Sequence, residues 1–246
     1  MRTVGDAGIG RLLVVGAHAF DAEVIGGPLA ATVALSGGQS MLVHLSLGEQ
    51  GHRTLSSAEY AQQKHREADA AAAALGCAWS SLRLPDGFIS DDDETALRLS
   101  DVIREFRPDT VVTHWSGSWH KDHRAAHKLT IAAVFFAALP TLVRETSAHC
   151  PAMVLFGENW EDSEGFRPEY MVDVSNGMEP WRRAINEYEL GRGLANFPYF
   201  DYYSSLYRLR GCLNGSEQAQ GFSLFPGHTM VGVTQFLGPT SNERRD

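Results

Sequence analysis

The chain has 246 residues, of which 43% are hydrophobic and 21% charged. This balance is typical of a folded globular protein and excludes a disordered or collagen-like chain. The net charge is −9 and no basic run is longer than a pair, which argues against a nucleic-acid partner. The apolar stretch 129–143 is shorter than the roughly 20 residues that cross a bilayer, so no membrane span is predicted.

The first ten residues and the three cysteines lead to expectations about the location of the protein and about its metal chemistry. The first ten residues lack the apolar core of a secretory signal, which predicts a cytoplasmic protein. The three cysteines are far apart and form no CxxC pair, so neither a disulfide framework nor a thiolate zinc site is indicated. We expect one domain over residues 1–246 and a metal, if present, held by histidines and carboxylates.

Apolar strands alternate with helices along the chain. The pattern predicts strands over residues 11–17, 41–47 and 110–114, and helices over 22–36, 58–75 and 94–106. Strands over 153–156 and 170–174 and a helix over 179–191 follow. The aromatic run after residue 197 is compatible with packing under a loop or lining a pocket. The alternation predicts an α/β fold whose mostly parallel sheet is covered on both faces.

Each of the first three predicted strands is followed by histidines or carboxylates. Ligands of open α/β sheets bind outside the carboxyl ends of the strands, so one crevice could collect these side chains. They are His18, Asp21, Glu49, His114, His120, Asp122 and His123. Imidazole nitrogens and carboxylate oxygens are the ligands of catalytic zinc sites, where three protein groups leave one position open for water. Isolated histidines such as His44 are expected to be structural.

Two short motifs, in order, resemble those of the LmbE-like or PIG-L family of zinc-dependent N-deacetylases. AHAFD at residues 17–21 resembles the family's AHPDD, and HKDH at residues 120–123 resembles its HPDH; LSLGEQG, LPDG and YMVDVS also match in order. The resemblance implies a Rossmann-like three-layer sandwich, a small-molecule substrate and a homo-oligomer. It also implies that His18, Asp21 and His123 bind zinc, that His120 stabilises or protonates the tetrahedral intermediate, and that Asp122 orients His120.

The chain departs from the family at the general base. The first Asp of HPDD takes a proton from the zinc-bound water in the deacetylases, and Phe20 stands there in this chain. A phenyl ring cannot accept a proton, and a positioned acid or base contributes roughly 10²- to 10⁴-fold to the rate. Ala19 replaces the family's proline, and Lys64 stands where an arginine is usual.

Three explanations remain open. In the first, the protein still removes an acetyl group from an N-acylated amino sugar or related molecule, with Glu49 as the replacement base and Asp122 or Glu23 as the other candidates. In the second, it is a zinc-dependent hydratase that adds water to an unsaturated keto-dicarboxylic acid, because hydratases within the family resemble this chain in having HA-x-D and a GExG loop. In the third, it binds metal and ligand without catalysis. We expect the first.

The substrate pocket is less defined by the sequence. Phe20 would make one wall apolar, and the segments 158–168 and 197–211 could supply a lid or far wall with aromatic surfaces. Four cations near the motifs, Arg53, Lys64, Lys121 and Arg124, could receive a carboxylate or phosphate of the substrate.

Overall fold

The computed structural model describes residues 9–194 and 197–228. Its strands are β1 (Arg11–Gly16), β2 (Gln39–His44), β3 (Ala78–Ser81), β4 (Thr110–His114), β5 (Met153–Gly157), β6 (Tyr170–Asp173) and β7 (Ala219–Leu224). Its helices are α1 (Asp21–Leu35), α2 (Ser57–Leu75), α3 (Asp93–Phe106), α4 (Lys121–Ala138), α5 (Met178–Glu187) and α6 (Tyr199–Asn214).

The seven strands form one sheet in the order β3-β2-β1-β4-β5-β7-β6. Strands β1 to β5 are parallel, whereas β7 runs antiparallel to both β5 and β6. The chain reverses its direction of strand addition at β1, which lies between β2 and β4. The carboxyl ends of β1 and β4 therefore border the switch point where ligands bind in this class of fold.

Helices cover both faces of the sheet. Successive side chains of β1 point to opposite faces, so Leu12 and Val14 join the core beneath α1, α2 and α5, and Leu13 and Val15 join the core beneath α3 and α4. All four side chains are fully buried. A strand buried on both faces reads as a continuous apolar run, which is why β1 was recognisable in the sequence.

Local sequence signals fix the turns around the sheet. Ser56 caps α2 by accepting a hydrogen bond from the Glu59 N–H, and Gly76 ends that helix with a left-handed φ of 71°. At the end of β1, a Cβ added to Gly16 would lie 2.5 Å from the Ala22 nitrogen. Glycine at position 16 therefore permits the tight turn that carries the chain from β1 into α1.

The α/β sandwich and its mostly parallel sheet are confirmed. The residue pattern did not predict β3, α6 or β7, and the predicted helix over 179–191 ends at Glu187. Within the described residues, no helix combines the length and apolar character that a bilayer span requires. The cytoplasmic prediction rests on residues 1–10, most of which lie outside the described ranges. The single domain over 1–246 stays a prediction.

Candidate metal centre and active site

The turns after β1 and β4 bring the predicted ligands together. His18 lies in the turn between β1 and α1, and Asp21 is the first residue of α1. His120 is the N-cap of α4, and His123 lies in its first turn. These four side chains line one cavity of about 230 Å³.

The three predicted metal ligands converge on one another. The Oδ2 atom of Asp21 lies 3.0 Å from Nδ1 of His18 and 3.2 Å from Nε2 of His123. Ligand atoms bound to a tetrahedral zinc at 2.0–2.1 Å are separated by about 3.3 Å. Each histidine nitrogen therefore lies about as far from the Asp21 oxygen as two zinc ligands lie from each other. Among the described residues, three groups have ligand atoms within 4.8 Å of one another and could hold a metal ion: His18, His120 and His123; Asp21, His114 and His123; and His18, Asp86 and Asp122.

Carboxylates hold His18 and His123, the two histidines predicted as metal ligands, in their charged forms when no metal is bound. Burial by itself lowers the pKa of His18, but contacts with Asp122, Asp21 and Asp86 outweigh it and raise that pKa well above its usual value. Burial of His123 is likewise outweighed by Asp21, assisted by Glu161, and the pKa of His123 rises to about 9. Protons and a metal ion therefore compete for the same nitrogens.

The far nitrogen of His18 contacts two further carboxylates. Nε2 of His18 lies 3.1 Å from Oδ1 of Asp86 and 3.2 Å from Oδ2 of Asp122. The Oδ2 atom of Asp122 also accepts a hydrogen bond from the Gly87 N–H at 2.7 Å. The carboxylate of Asp122, which the resemblance assigned to orienting His120, therefore lies against His18.

His120 is oriented by the helix that it caps. Its Nδ1 accepts a hydrogen bond from the backbone N–H of Asp122 at 3.2 Å, which leaves the ring proton on Nε2. Burial, together with the neighbouring His123 and His18, lowers the pKa of His120. The neutral ring thus provides an N–H donor at the cavity wall.

His114 lies behind the ligands. Its Nε2 accepts a hydrogen bond from the Ala17 N–H at 3.0 Å, and its ring stacks on His123 with centroids 4.1 Å apart. Burial and the nearby His123 lower the pKa of His114 well below its usual value. The neutral imidazole of His114 packs against His123, and His114 also forms a candidate metal-binding group with Asp21 and His123.

Phe20 forms an apolar wall of the cavity in a strained backbone conformation. Its φ is 100°, a region that aromatic residues rarely adopt. The ring is 3% exposed and meets Tyr188 and Tyr199 edge to face, with centroids 5.3 Å and 5.1 Å away. The backbone N–H of Phe20 donates to Oε2 of Glu23 at 3.1 Å, which helps to hold this conformation.

Lys64 brings a buried cation to the same wall. It is 2% exposed, and its Nζ donates to the Ala19 carbonyl at 3.2 Å. Aromatic rings surround the ammonium, with Nζ 5.0 Å from the Tyr188 centroid and 5.4 Å from the Tyr60 centroid. Among the described residues no carboxylate lies within ion-pair distance of Nζ, and burial lowers the pKa of Lys64.

Other predicted site residues lie beside the cavity. Glu49 accepts hydrogen bonds from the Ser46 hydroxyl and from the Asp86 N–H, both at 3.1 Å, and does not line the cavity. Lys121 is exposed and donates to the Gly87 carbonyl. Arg53 is exposed and also absent from the lining. The roles predicted for these three side chains stay predictions.

Several cavity residues were not assigned a role from the sequence. Asp86 comes from the LPDG motif, and Trp160 and Glu161 come from the segment considered as a lid. Tyr199 and Tyr203 on α6 belong to the aromatic run, which here lines a pocket. The motif and the aromatic composition drew attention to these segments, but only the fold places individual side chains at the cavity.

Comparison with known proteins places this geometry in a family. The family model of GlcNAc-PI de-N-acetylases, PIG-L, matches residues 13–134, and the chain belongs to this family. A 1D-myo-inositol 2-acetamido-2-deoxy-alpha-D-glucopyranoside deacetylase from Saccharopolyspora erythraea is 33% identical over 54% of this chain and 56% of the relative. The chain thus spans about half the length of the deacetylases that it first matches.

A hydratase matches over a larger share of both chains. The 4-oxalmesaconate hydratase of Pseudomonas putida is 27% identical over 70% of each protein. The crystal structure of the 4-carboxy-2-hydroxymuconate hydratase GalB from P. putida superposes with a TM-score of 0.80 and 25% identity, covering 89% of this chain and 97% of the other. The N,N'-diacetylchitobiose deacetylase of Pyrococcus horikoshii shares the fold, with a TM-score of 0.73 and 18% identity over 95% of this chain and 88% of the other.

Proposed function

We propose that the protein is a metal-dependent hydrolase that removes an acyl group from the nitrogen of a small N-acylated compound, with an N-acetylated amino sugar as the leading substrate class. The observation that carries the proposal is the convergence of His18, Asp21 and His123 at one wall of the cavity, beside the N–H donor of His120. Curated relatives that are 33% identical to about half of this chain are deacetylases of an acetamido sugar derivative.

The donor set favours zinc, because imidazole and carboxylate suit this ion and the cluster leaves an open position. A divalent ion held there would polarise the substrate carbonyl and acidify a water molecule. His120 would donate from Nε2 to the oxygen that gains charge and then pass its proton to the departing nitrogen. The cavity of about 230 Å³ suits a small substrate better than a polymer.

We infer that Asp86 accepts the proton of the attacking water in place of the acid missing at Phe20. Asp86 lines the cavity, and contact with His18 and the Gln50 N–H, which outweighs burial, lowers its pKa and keeps it ionised at neutral pH. Glu49, the base predicted from the sequence, would instead hold the Asp86 backbone in place.

Paired variants distinguish the two carboxylates. At matched metal content, Asp86→Asn should lower turnover by roughly 100-fold or more, the contribution of one acid or base group. Glu49→Gln should have a smaller effect, since the amide can still accept from the Asp86 N–H. A larger loss in Glu49→Gln than in Asp86→Asn would contradict this assignment and favour the sequence prediction.

Hydration of an unsaturated keto-dicarboxylic acid is the second candidate. Phe20 removes the deacetylase base, Lys64 offers a buried ammonium to a substrate carboxylate, and the likeness to a hydratase covers most of both chains. Under this candidate, Lys64→Met should raise KM for a dicarboxylic acid by at least about 10-fold, since a buried charge-assisted hydrogen bond contributes about 1.5–3 kcal/mol. KM for a neutral N-acetyl sugar should change less.

One screen separates the candidates. The metal-loaded protein is incubated with N-acetyl sugars and with unsaturated dicarboxylic acids, with and without a chelator. Chelator-sensitive release of acetate supports the hydrolase, and chelator-sensitive loss of the conjugated absorbance supports the hydratase. A metal-loaded protein inert on both classes would contradict both and favour a binding protein. Cytoplasmic location and homo-oligomeric assembly stay predictions.

A further inference from the structure

The loop between β5 and β6 brings a carboxylate to the metal ligands from outside the segment that the family model matches. Glu161 is 8% exposed and lines the cavity. Its Oε2 lies 3.0 Å from Nδ1 of His123, the nitrogen that points away from Asp21. Within the described residues, Oε2 of Glu161 meets no donor at hydrogen-bonding geometry, and the imidazole of His123 is its ion-pair neighbour.

Hydrogen bonds join the β5–β6 loop to the turn before α4, the helix whose first turn holds His123. The Trp119 N–H donates to the Glu161 carbonyl at 3.1 Å, and the Glu164 N–H donates to the Gly117 carbonyl at 3.1 Å. The indole Nε1 of Trp115 donates to the Glu164 carbonyl at 2.7 Å. A Cβ on Gly117 would lie 2.1 Å from that carbonyl oxygen, so this close approach requires glycine.

The loop also fixes its own conformation around Glu161. The Glu161 N–H donates to Oδ1 of Asn159 at 3.1 Å, and the Asn159 N–H donates to Oδ2 of Asp162 at 2.8 Å. The side chain of Glu161 therefore starts from a backbone that is held on both sides. Its direction toward His123 follows from the fold of the loop and not from a freely rotating surface side chain.

We infer that Glu161 is a positioning residue for the metal site: its carboxylate accepts a hydrogen bond from Nδ1 of His123 and so fixes the tautomer that presents the Nε2 lone pair beside Asp21. Histidines that bind metals generally donate their second nitrogen to an outer carboxylate or carbonyl, which orients the ring and raises its basicity. Ser118, whose Oγ lies 3.3 Å from the same Nδ1, is the neutral alternative partner.

This inference rests on the metal site of the proposed function but not on which reaction occurs there. Through Glu161, the part of the chain that follows the family-model segment would orient His123 in addition to enclosing the cavity. A change in the β5–β6 loop would alter metal affinity through His123 even when all three ligands are intact.

Metal affinity tests the inference directly. Metal-free wild type, Glu161→Gln, Glu161→Ala and the control Glu164→Gln, whose side chain is exposed on the same loop, are titrated with Zn²⁺ against a chromophoric chelator. The two Glu161 variants should bind zinc about 10- to 100-fold more weakly. The control should bind like the wild type. Thermal unfolding of the metal-free proteins verifies that Glu161→Gln remains folded.

The imidazole tautomer gives a second readout that a loss of folding would not imitate. In zinc-loaded wild type, nitrogen NMR of His123 should find the proton on Nδ1 and the metal on Nε2. Equal zinc affinity of Glu161→Gln and Glu164→Gln, or zinc on Nδ1 of His123, would overturn the inference and leave the proposed function standing. A wild type that takes up no zinc would overturn both.

Discussion

Helix α1 contributes carboxylates to two buried clusters of histidine and carboxylate, one at Asp21 and the other at Glu23. The two clusters differ in whether they border the cavity. Asp21 meets His18 and His123 at the cavity wall. Glu23 meets His44 on the inner side of the same helix, where both side chains are fully buried. The residue types are the same, so the difference lies in the partners that surround them.

The Glu23 cluster is closed by protein donors. Oε2 of Glu23 accepts from the Phe20 N–H at 3.1 Å and lies 3.2 Å from Nε2 of His44. Oε1 accepts from the Tyr188 hydroxyl at 2.6 Å, and the Glu23 carbonyl accepts from the indole of Trp181 at 3.0 Å. Each carboxylate oxygen already has a donor, so this cluster stabilises the fold and offers nothing to a ligand.

The Asp21 cluster faces a cavity. Its carboxylate oxygen has two imidazole nitrogens at hydrogen-bond distance, and the far nitrogens of those rings are held by other carboxylates. A metal site requires that other groups fix the orientation of the ligand rings while the coordinating atoms remain accessible from the cavity. The comparison indicates that access from a cavity, more than the burial of charge, distinguishes a cluster that could bind a ligand from one that stabilises the fold.

The largest effect should follow from removing a ligand. His18→Ala, Asp21→Ala and His123→Ala should each lose stoichiometric zinc and nearly all turnover, because two ligands cannot hold the ion in place. Elemental analysis after dialysis measures the loss, with Glu23→Gln as the matched variant in the closed cluster. Retention of stoichiometric metal by all three alanine variants would contradict the site.

Opening the closed cluster should cost stability instead. Glu23→Ala strips His44, Tyr188 and the Phe20 N–H of their acceptor, and each buried donor left unsatisfied costs about 1–3 kcal/mol. Urea unfolding of the metal-free protein measures the free energy of unfolding. Glu23→Ala that unfolds like the wild type but loses zinc would reverse the roles given to the two clusters.

The open cluster should make the metal-free protein sensitive to alkali. A histidine whose pKa is raised on folding stabilises the protein below its unfolded pKa of about 6.5, and this contribution is lost as the pH rises through the folded value. The pKa of His123 is raised to about 9. The free energy of unfolding should therefore fall by an amount on the order of a few kcal/mol between pH 6.5 and 9.

Urea titrations at pH 6.5, 8 and 9.5 in the presence of a chelator measure this fall. His123→Gln should flatten the profile, because the group that titrates is gone. Zinc should also flatten it, since the ion takes the place of the protons that are lost. A stability that rises across this interval would contradict the arrangement of His123 between two carboxylates.

The smallest effect should come from trimming the closed cluster by one atom. Tyr188→Phe keeps the ring against Phe20 and removes the hydroxyl that donates to Glu23, at a cost of about 1.5–3 kcal/mol for a hydrogen bond to a charged group. Urea unfolding compares it with the exposed Tyr202→Phe. An unchanged free energy of unfolding would mean that the Glu23 oxygen is satisfied by another donor.

The sequence predicted the strands that are buried on both faces, and its two histidine motifs contain the side chains of His18, Asp21 and His123 that lie together in the structure. Helix α6 was missed because its charged and aromatic residues give no clear apolar periodicity, and β3 was missed because it is four residues long. Asp21 and Glu23 could not be told apart by their type. The donors that close the Glu23 cluster include Tyr188, 165 residues away, and such distant partners become visible only when the chain is folded.

The central claim is that His18, Asp21 and His123 hold a divalent metal at the cavity wall. Anomalous diffraction at the zinc edge, on crystals grown with one equivalent of zinc, tests it most directly. The account predicts one strong peak bonded to Nδ1 of His18, an oxygen of Asp21 and Nε2 of His123, with the fourth position facing the cavity. A peak elsewhere, or none at these three residues, would contradict it.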